Sequence, residues 1–260
     1  VIAGSKFVDV LSRAFGVPIE LHMAEDYEHL LAAVRAGGVA LSWMPPFVAL
    51  RVPPAEATLV AVSERHGSVH YRSALVVANT SRFHSVADLR GSRARVAWGD
   101  PQSASQYILP RHHLLEAGLR PGLDFVGGRF LSSGFNICAG VANGEFELGA
   151  LHCNDELAGD YAGALEFLKR HFTAAPWRLR VIAITERIPA DGIVLNRALD
   201  ESTQAHSGLN ALHEKSEALE ALRALMNADR LVPLTTSMRS SYRRLEEIAA
   251  LVAAHPPELA

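Results

Sequence analysis

Cysteine is scarce in this chain: only Cys138 and Cys153 occur in 260 residues. Their spacing fits no zinc or redox motif and both stand in apolar company, so two buried free thiols are expected rather than a disulfide framework. No apolar run reaches about 18 residues, which excludes a membrane-spanning helix. Neither sign of charge dominates. The 25 Lys and Arg against 28 Asp and Glu leave a net charge of −3, and a nucleic-acid footprint is not expected. The twelve histidines include no His-Glu-x-x-His and no pair of metal-site spacing, and the His112-His113 doublet reads as a solvated helix face. Also missing are a Gly-x-Ser-x-Gly elbow, a Ser–His–acid order and a phosphate-loop lysine. No catalytic residue, metal or cofactor is therefore expected. The opening Val1-Ile2-Ala3-Gly4-Ser5-Lys6 has no initiator Met and lacks the basic-then-apolar order of a signal peptide, so a trimmed or mature segment is expected.

What is present is an ordinary globular composition, 49% hydrophobic and 20% charged, enough for one large domain or two medium ones. Apolar periodicity predicts helices over 6–15, 27–35, 135–143, 157–170, 214–226 and 239–254, with a capped short helix over 85–91. Strands are predicted over 17–23, 39–43, 59–62, 71–79, 95–98, 124–130, 148–153 and 178–185. Residues 188–192 read as a loop, and the chain from about 195 as helical. Strands alternating with helices imply a parallel α/β sheet. The long strands 71–79 and 178–184 bracket a middle unit, which is the plan of a two-lobed, hinge-closing binding protein with its ligand at strand ends between lobes.

The stretch 98–111, Trp-Gly-Asp-Pro-Gln-Ser-Ala-Ser-Gln-Tyr-Ile-Leu-Pro-Arg, carries the chemistry. An apolar strand end turns through Gly99-Asp100-Pro101 and delivers Ser103, Ser105 and Gln106 as a helix-period run begins. Backbone N–H groups and hydroxyls then converge at a helix start, where partial positive charge favours an anion. An ordinary Ser N-cap on a strand-to-helix turn has the same geometry.

The chain resembles the substrate-binding proteins of phosphate, phosphite and phosphonate ABC importers, the type 2 periplasmic binding proteins of the phosphonate-binding kind. The resemblance covers roughly residues 10–195. It rests on Asp100-Pro101, Ser103-Ala104-Ser105, Tyr107 and Pro110-Arg111, preceded by Tyr71-Arg72-Ser73 and by Ser85 with Asp88-Leu89-Arg90-Gly91. Further matches are Gly140-Val141-Ala142-Asn143-Gly144 with Gly149-Ala150, and Tyr27-Glu28, Leu30, Gly37, Trp43 and Pro46. The chain departs from the family pattern where Gln106 replaces Gly, Ala104 a hydroxyl residue and Pro45 a Gly. The family's His falls at Gly134 or Phe135, and His152 stands where related proteins carry Asp. The family's first strand would precede residue 6.

The resemblance implies a two-lobed α/β fold joined by two crossing strands, with the ligand cleft between the lobes. Lobe 1 is residues 1–77 plus 183–260, lacking or trimmed at its first strand; lobe 2 is residues 78–182 and carries the anion cradle. Ligand contacts are expected from Ser103, Ser105, Gln106 and the N–H of Ala104; from Ser132, Ser133 and Asn136 at a second helix start; from the Tyr71 phenol; and from His152. Trp43, Met44 and Phe47 are expected to form an apolar lid on the other lobe, and Trp43, Pro46 and Phe47 to touch the ligand. For each a plainer reading stands beside this one: helix caps for the small polar residues, core for Tyr71 and the apolar strand end, a neutral strand-end imidazole for His152. His152 in place of a carboxylate disfavours a cationic amine tail on the ligand. The implied protein is an extracytoplasmic, periplasmic component that takes a small oxyanion and meets the membrane subunits of an ABC importer. The alternative is a sensor, or a degenerate partner-binding domain of the same fold working with a signalling protein.

Overall fold

The computed structural model of the chain describes residues 2–155, 160–172, 178–199, 202–214 and 216–256. In chain order its helices are α1 (Ile2–Phe15), α2 (Tyr27–Arg35), α3 (Pro46–Ala49), α4 (Leu109–Glu116), α5 (Gly134–Ala142), α6 (Tyr161–His171), α7 (Thr203–Glu214), α8 (Ser216–Met226) and α9 (Thr236–Ala253). The strands are β1 (Leu41–Met44), β2 (Ala57–Glu64), β3 (His70–Ala78), β4 (Ala94–Trp98), β5 (Phe125–Phe130), β6 (Leu148–Asn154), β7 (Leu179–Ile184), β8 (Ile188–Pro189), β9 (Gly192–Asn196) and β10 (Arg230–Pro233). The chain divides into two compact α/β units: Val1–Val69 with Pro189–Tyr242, and His70–Ile188 with Arg243–Ala260.

The first unit holds a sheet of order β1-β9-β2-β10 in which each neighbouring pair runs antiparallel. Its central strand β9 reads Gly-Ile-Val-Leu-Asn because successive side chains of a strand face opposite ways and both faces are covered. Ile193 and Leu195 join Phe7, Val10 and Leu11 of α1, Leu209 of α7 and Leu222 of α8. Val194, between them, joins Leu31 and Val34 of α2 together with Met44 and Val48.

The second unit is built on the strand path β5-β4-β6-β3-β7. β4 runs parallel to β5 and β6, and β3 runs antiparallel to β6 and β7. Ala74, Leu151 and Cys153 pack under Ile137 and Val141 of α5 and Phe167 and Leu168 of α6. Leu75 and Val77 alternate to the opposite face and are buried as well. Neither Cys138 nor Cys153 is in a disulfide and both are buried, as their apolar company implied.

Several expectations need correction. The sheets are not parallel: the first is antiparallel and the second mixed, because β9 enters between β1 and β2 from far along the chain, and sequence order carries no record of that insertion. Residues 17–23 form no strand, and Val17, Leu21 and Met23 are exposed. The 188–192 loop contains β8 and the start of β9, and the helical reading beyond 195 missed β10, a four-residue strand that ends in Pro233. Residues 157–159 of the predicted 157–170 helix lie outside the described residues; the helix that is described spans Tyr161–His171. The units meet at 69/70 and 188/189 rather than at 77/78 and 182/183, because β3 is hydrogen-bonded to β6 and β7 and belongs with them. A third passage, at Tyr242/Arg243 inside α9, sends the last residues to the second unit.

Those last residues answer two buried polar groups on α4. Arg111 is 1% exposed. It donates to the His255 and Pro256 carbonyls, the latter at 2.8 Å, and its guanidinium lies 5.6 Å from the Tyr107 ring and 5.7 Å from the Phe125 ring. The His112-His113 pair is not a solvated face: His112 is 2% exposed. Its imidazole stands 3.5 Å from Glu116 and 3.4 Å from Glu186, and Arg244 of α9 bridges the same two carboxylates at 3.1 Å.

Burial pushes the His112 imidazole below its ordinary 6.5, outweighing the opposite pull of Glu116 and Glu186. A histidine held neutral by the fold becomes charged in the unfolded chain once the pH drops below that value. Its contribution is therefore complete above 6.5 and shrinks as the pH falls toward the folded value. Burial lowers His70 and His113 in the same direction. The melting temperature is expected to fall on acidification from about pH 7 to about pH 5.5, and less steeply in His112→Gln. Equal slopes in the two proteins would remove His112 as a cause.

Candidate functional site

The carboxyl ends of β4 and β5 lie side by side, with Leu131 N donating to Trp98 O at 2.8 Å. Each end runs through a short polar turn into a helix, and the helices take opposite faces of the sheet. α5 packs on the face of Leu151 and Cys153. The turn after β4 lies on the face of Ser73, whose hydroxyl donates to the Ser105 carbonyl at 2.5 Å. In open α/β sheets, a divergence of this kind at strand ends opens the crevice that ligands use.

After β4 the chain is gathered by Asp100, whose carboxylate accepts from Gln102 N at 2.7 Å and whose carbonyl accepts from Ser103 N at 2.8 Å. A wide helical turn, Ala104–Ile108, follows. It is a π turn: Ser103 O accepts from Tyr107 N at 3.1 Å and from Ile108 N at 3.0 Å. Ser103 caps it, its hydroxyl accepting from Gln106 N at 3.3 Å. The N–H groups of Ala104 and Ser105 reach no acceptor among the described residues. They are two of the orphan donors that every helix start exposes, and the partial positive charge of the start stands behind them.

The second start repeats this plan. Ser133 caps α5, accepting from Asn136 N at 3.3 Å, and the Asn136 carboxamide donates to Ser132 Oγ at 2.9 Å. Gly134 N and Phe135 N have no acceptor among the described residues. The side chain of Gln106 lies between the two starts. A Cβ on Gly99 would stand 2.3 Å from Gln106 Oε1, and one on Gly134 would stand 2.9 Å from Gln106 Nε2. Phe135, beside Gly134, is 48% exposed and its ring sits 5.3 Å from Phe172.

Tyr71 and His152 sit on neighbouring strands. Ser73 is paired with His152 across β3 and β6, and Tyr71 lies two residues before Ser73. Opposed residues share a sheet face, so Tyr71, Ser73 and His152 share the face crossed by the Ala104 turn. The Tyr71 and His152 rings lie 4.9 Å apart; the tyrosine is buried and the histidine half-buried. Two residues here were not in the sequence reading of the site. Ser73 is one, and its signal was a lone hydroxyl opening the apolar run Ala-Leu-Val-Val-Ala. Arg72 is the other. Its guanidinium donates to Asp155 at 2.6 Å and to Thr185 O at 2.9 Å.

In the first unit, Pro46 and Phe47 open α3 and are buried. Trp43 is half-buried at the end of β1, and its indole N–H donates to Asp191 Oδ2 at 3.2 Å, an oxygen that Arg65 also engages at 3.0 Å. Elsewhere His112, Glu116 and Glu186 bring ligand-type atoms within 4.8 Å of one another. Arg244 already compensates both carboxylates, so no metal is assigned there.

Two α/β units, one of them presenting paired helix starts at the carboxyl ends of parallel strands, define a binding protein of the periplasmic type. The chain belongs to the family described as ABC transporter, phosphonate, periplasmic substrate-binding protein, whose sequence profile matches residues 3–238. It is thus the substrate-binding component of a transporter and not an enzyme. Solved structures share the fold. A Xanthomonas citri protein bound to ATP superposes with a TM-score of 0.79 at 21% identity, over 97% of this chain and 94% of that one. A binding protein component of an ABC phosphonate transporter from Pseudomonas aeruginosa gives 0.75 at 19% identity, over 100% of this chain and 85% of its own. PhnD1 from Prochlorococcus marinus, in complex with methylphosphonate, gives 0.73 at 18%, over 96% of this chain and 92% of its own. No helix among the described residues is long and apolar enough to cross a membrane.

Ser73→Ala removes the donor that holds the Ser105 carbonyl against the sheet. A loss of about 1 kcal/mol in denaturant unfolding is expected. Unchanged stability would mean that the turn is held by its own caps alone.

Proposed function

We propose that this chain takes up a small phosphorus oxyanion, a phosphonate, phosphite or phosphate, at the two helix starts of its second unit, and presents it in the periplasm to the membrane subunits of an ABC importer. The observation that carries this is the unspent pair of N–H groups at Ala104 and Ser105, backed by the hydroxyl of Ser105 and by a helix start. Such donors are strong anion hosts because the charge-assisted hydrogen bond adds to the macrodipole. Ser132, Ser133 and Asn136 supply a second set of donors, and Tyr71 and His152 line the same sheet face as the first. None of Ser103–Gln106, Ser132–Asn136, Tyr71 and His152 is a carboxylate; Asp100, in the turn before Ser103, has its carboxylate accepting from Gln102 N. The methylphosphonate held by one relative and the ATP held by another agree with an oxyanion host. In the first unit the Trp43 donor is occupied by Asp191, and Pro46 and Phe47 are buried, so the polar contacts are assigned to the second unit.

Calorimetric titration with phosphate, phosphite and methylphosphonate tests the assignment. Ser105→Ala is expected to remove one hydrogen bond to a charged group, about 1.5–3 kcal/mol, or roughly tenfold to hundredfold in affinity. His152→Asp is expected to weaken methylphosphonate and to strengthen an aminoalkyl phosphonate, because a carboxylate repels acidic ligands and attracts an amine. Equal effects on the two ligands would take His152 out of the site, and a parent protein indifferent to every anion would end the oxyanion assignment.

A further inference from the structure

The side chain of Gln106 has two features that a spacer does not need. It lies between the two helix starts, with its carboxamide oxygen beside Gly99 and its nitrogen beside Gly134. Its carboxamide makes no hydrogen bond among the described residues, although its own backbone is engaged: Gln106 N donates to the Ser103 hydroxyl and Gln106 O accepts from Gly99 N at 3.0 Å. The residue is half-buried. A carboxamide carries two N–H donors and a carbonyl acceptor, and a half-buried one left unpaired costs free energy unless water or a ligand answers it.

The two glycines explain how it fits. A side chain at position 99 would collide with Gln106 Oε1 and Cβ, and one at 134 would crowd Nε2 and the Phe172 ring. Neither glycine has a positive φ, so both positions tolerate other residues as far as the backbone is concerned. What they provide is room. Gln106, anchored in the first helix start, thereby delivers a neutral donor to the mouth of the second.

We infer that Gln106 is a specificity-determining residue. Its Nε2 group acts as a cradle donor supplied from the Ala104 turn to the α5 start, and its bulk narrows the space between Gly99 and Gly134 so that a compact oxyanion head is preferred to a bulkier one. This rests on the oxyanion assignment of the second unit. It adds that the donor is neutral and is borrowed across the two starts. A neutral amide, unlike a lysine or arginine, adds no formal charge to the helix starts, so discrimination by Gln106 follows shape and donor placement rather than ionic strength.

The test uses inorganic phosphate and methylphosphonate as compact probes and phenylphosphonate as a bulky one, with melting temperatures recorded for each variant. Gln106→Glu keeps the shape and replaces the donor by an anion. A loss of about hundredfold or more for both compact probes is expected, with the melting temperature nearly unchanged. Gln106→Gly removes donor and bulk together. Compact probes are expected to weaken about tenfold while phenylphosphonate weakens less or gains. Gly134→Asn in the Gln106→Gly background returns a carboxamide from the other helix and is expected to recover most of the compact-probe affinity, whereas Gly134→Asn in the parent crowds Nε2 and lowers it. Gln106→Glu binding phosphate as tightly as the parent would overturn the inference, and so would a paired variant no better than Gln106→Gly. If Ser105→Ala weakens binding while the Gln106 variants do not, the oxyanion site stands and the role of Gln106 falls. If the parent binds none of the probes, the site assignment falls and takes this inference with it.

Discussion

One buried hydroxyl holds the candidate site in register. Ser73 is fully buried on β3, its N–H donates to Thr185 Oγ1 at 2.9 Å, and its carbonyl accepts from Thr185 N at 2.9 Å. Its backbone is thereby fixed, and its hydroxyl is fixed in turn against the Ser105 carbonyl. In a helical turn the carbonyls point away from the N–H groups of the start. Drawing the Ser105 carbonyl onto the sheet therefore leaves the start's donors facing outward. The π turn does the same work from within: by folding two N–H groups onto Ser103 O, it tightens the bonding at Tyr107 and Ile108 and leaves Ala104 and Ser105 unspent. In the proposed site, anion hosting would depend less on any charged residue than on which backbone dipoles have been used up.

Much of this was legible in the chain. The strand, turn and helix at 94–116, the Ser133 cap, and the long apolar β3 follow from periodicity and capping chemistry, which act over a few residues and leave local marks. The features that were not legible depend on partners far along the chain. β9 is only five residues and reads as the end of a loop, yet it is the strand on which the first sheet is centred. β10 is shorter still. The burial of His112 and Arg111 is imposed by α9 and by the residues after it, through contacts 128 and 144 positions apart in the chain, and an isolated helix pattern cannot register a cover that comes from so far. Arg72 and Ser73 were hidden for a similar reason: both answer to Thr185 on the returning segment.

The departures from the family pattern are also physically connected. Gln106 stands for a glycine and Gly134 or Phe135 for a histidine. In the fold, the Gln106 carboxamide occupies space that any side chain at 134 would enter. Two departures that look independent in a linear sequence therefore lie at one place, since the Gln106 carboxamide stands beside Gly134. With only 18–21% identity to solved relatives, such paired exchanges are where members of the fold would be expected to differ, since caps and sheet order are constrained by backbone bonding and the space between starts is not.

The passage of α9 from one unit to the other bears on how such a protein can be cut or recombined. The second unit is not a cassette. A gene segment covering 70–188 alone would encode the strand path β5-β4-β6-β3-β7 and both helix starts, but it would leave behind the carbonyls of His255 and Pro256 and the guanidinium of Arg244. Arg111 would then lose the two carbonyls that accept from it beside the Tyr107 and Phe125 rings, and Glu116 and Glu186 would face each other and His112 without Arg244. A transplant of this unit would therefore have to carry residues 243–256 with it, although they are separated from 70–188 by a stretch that belongs to the first unit.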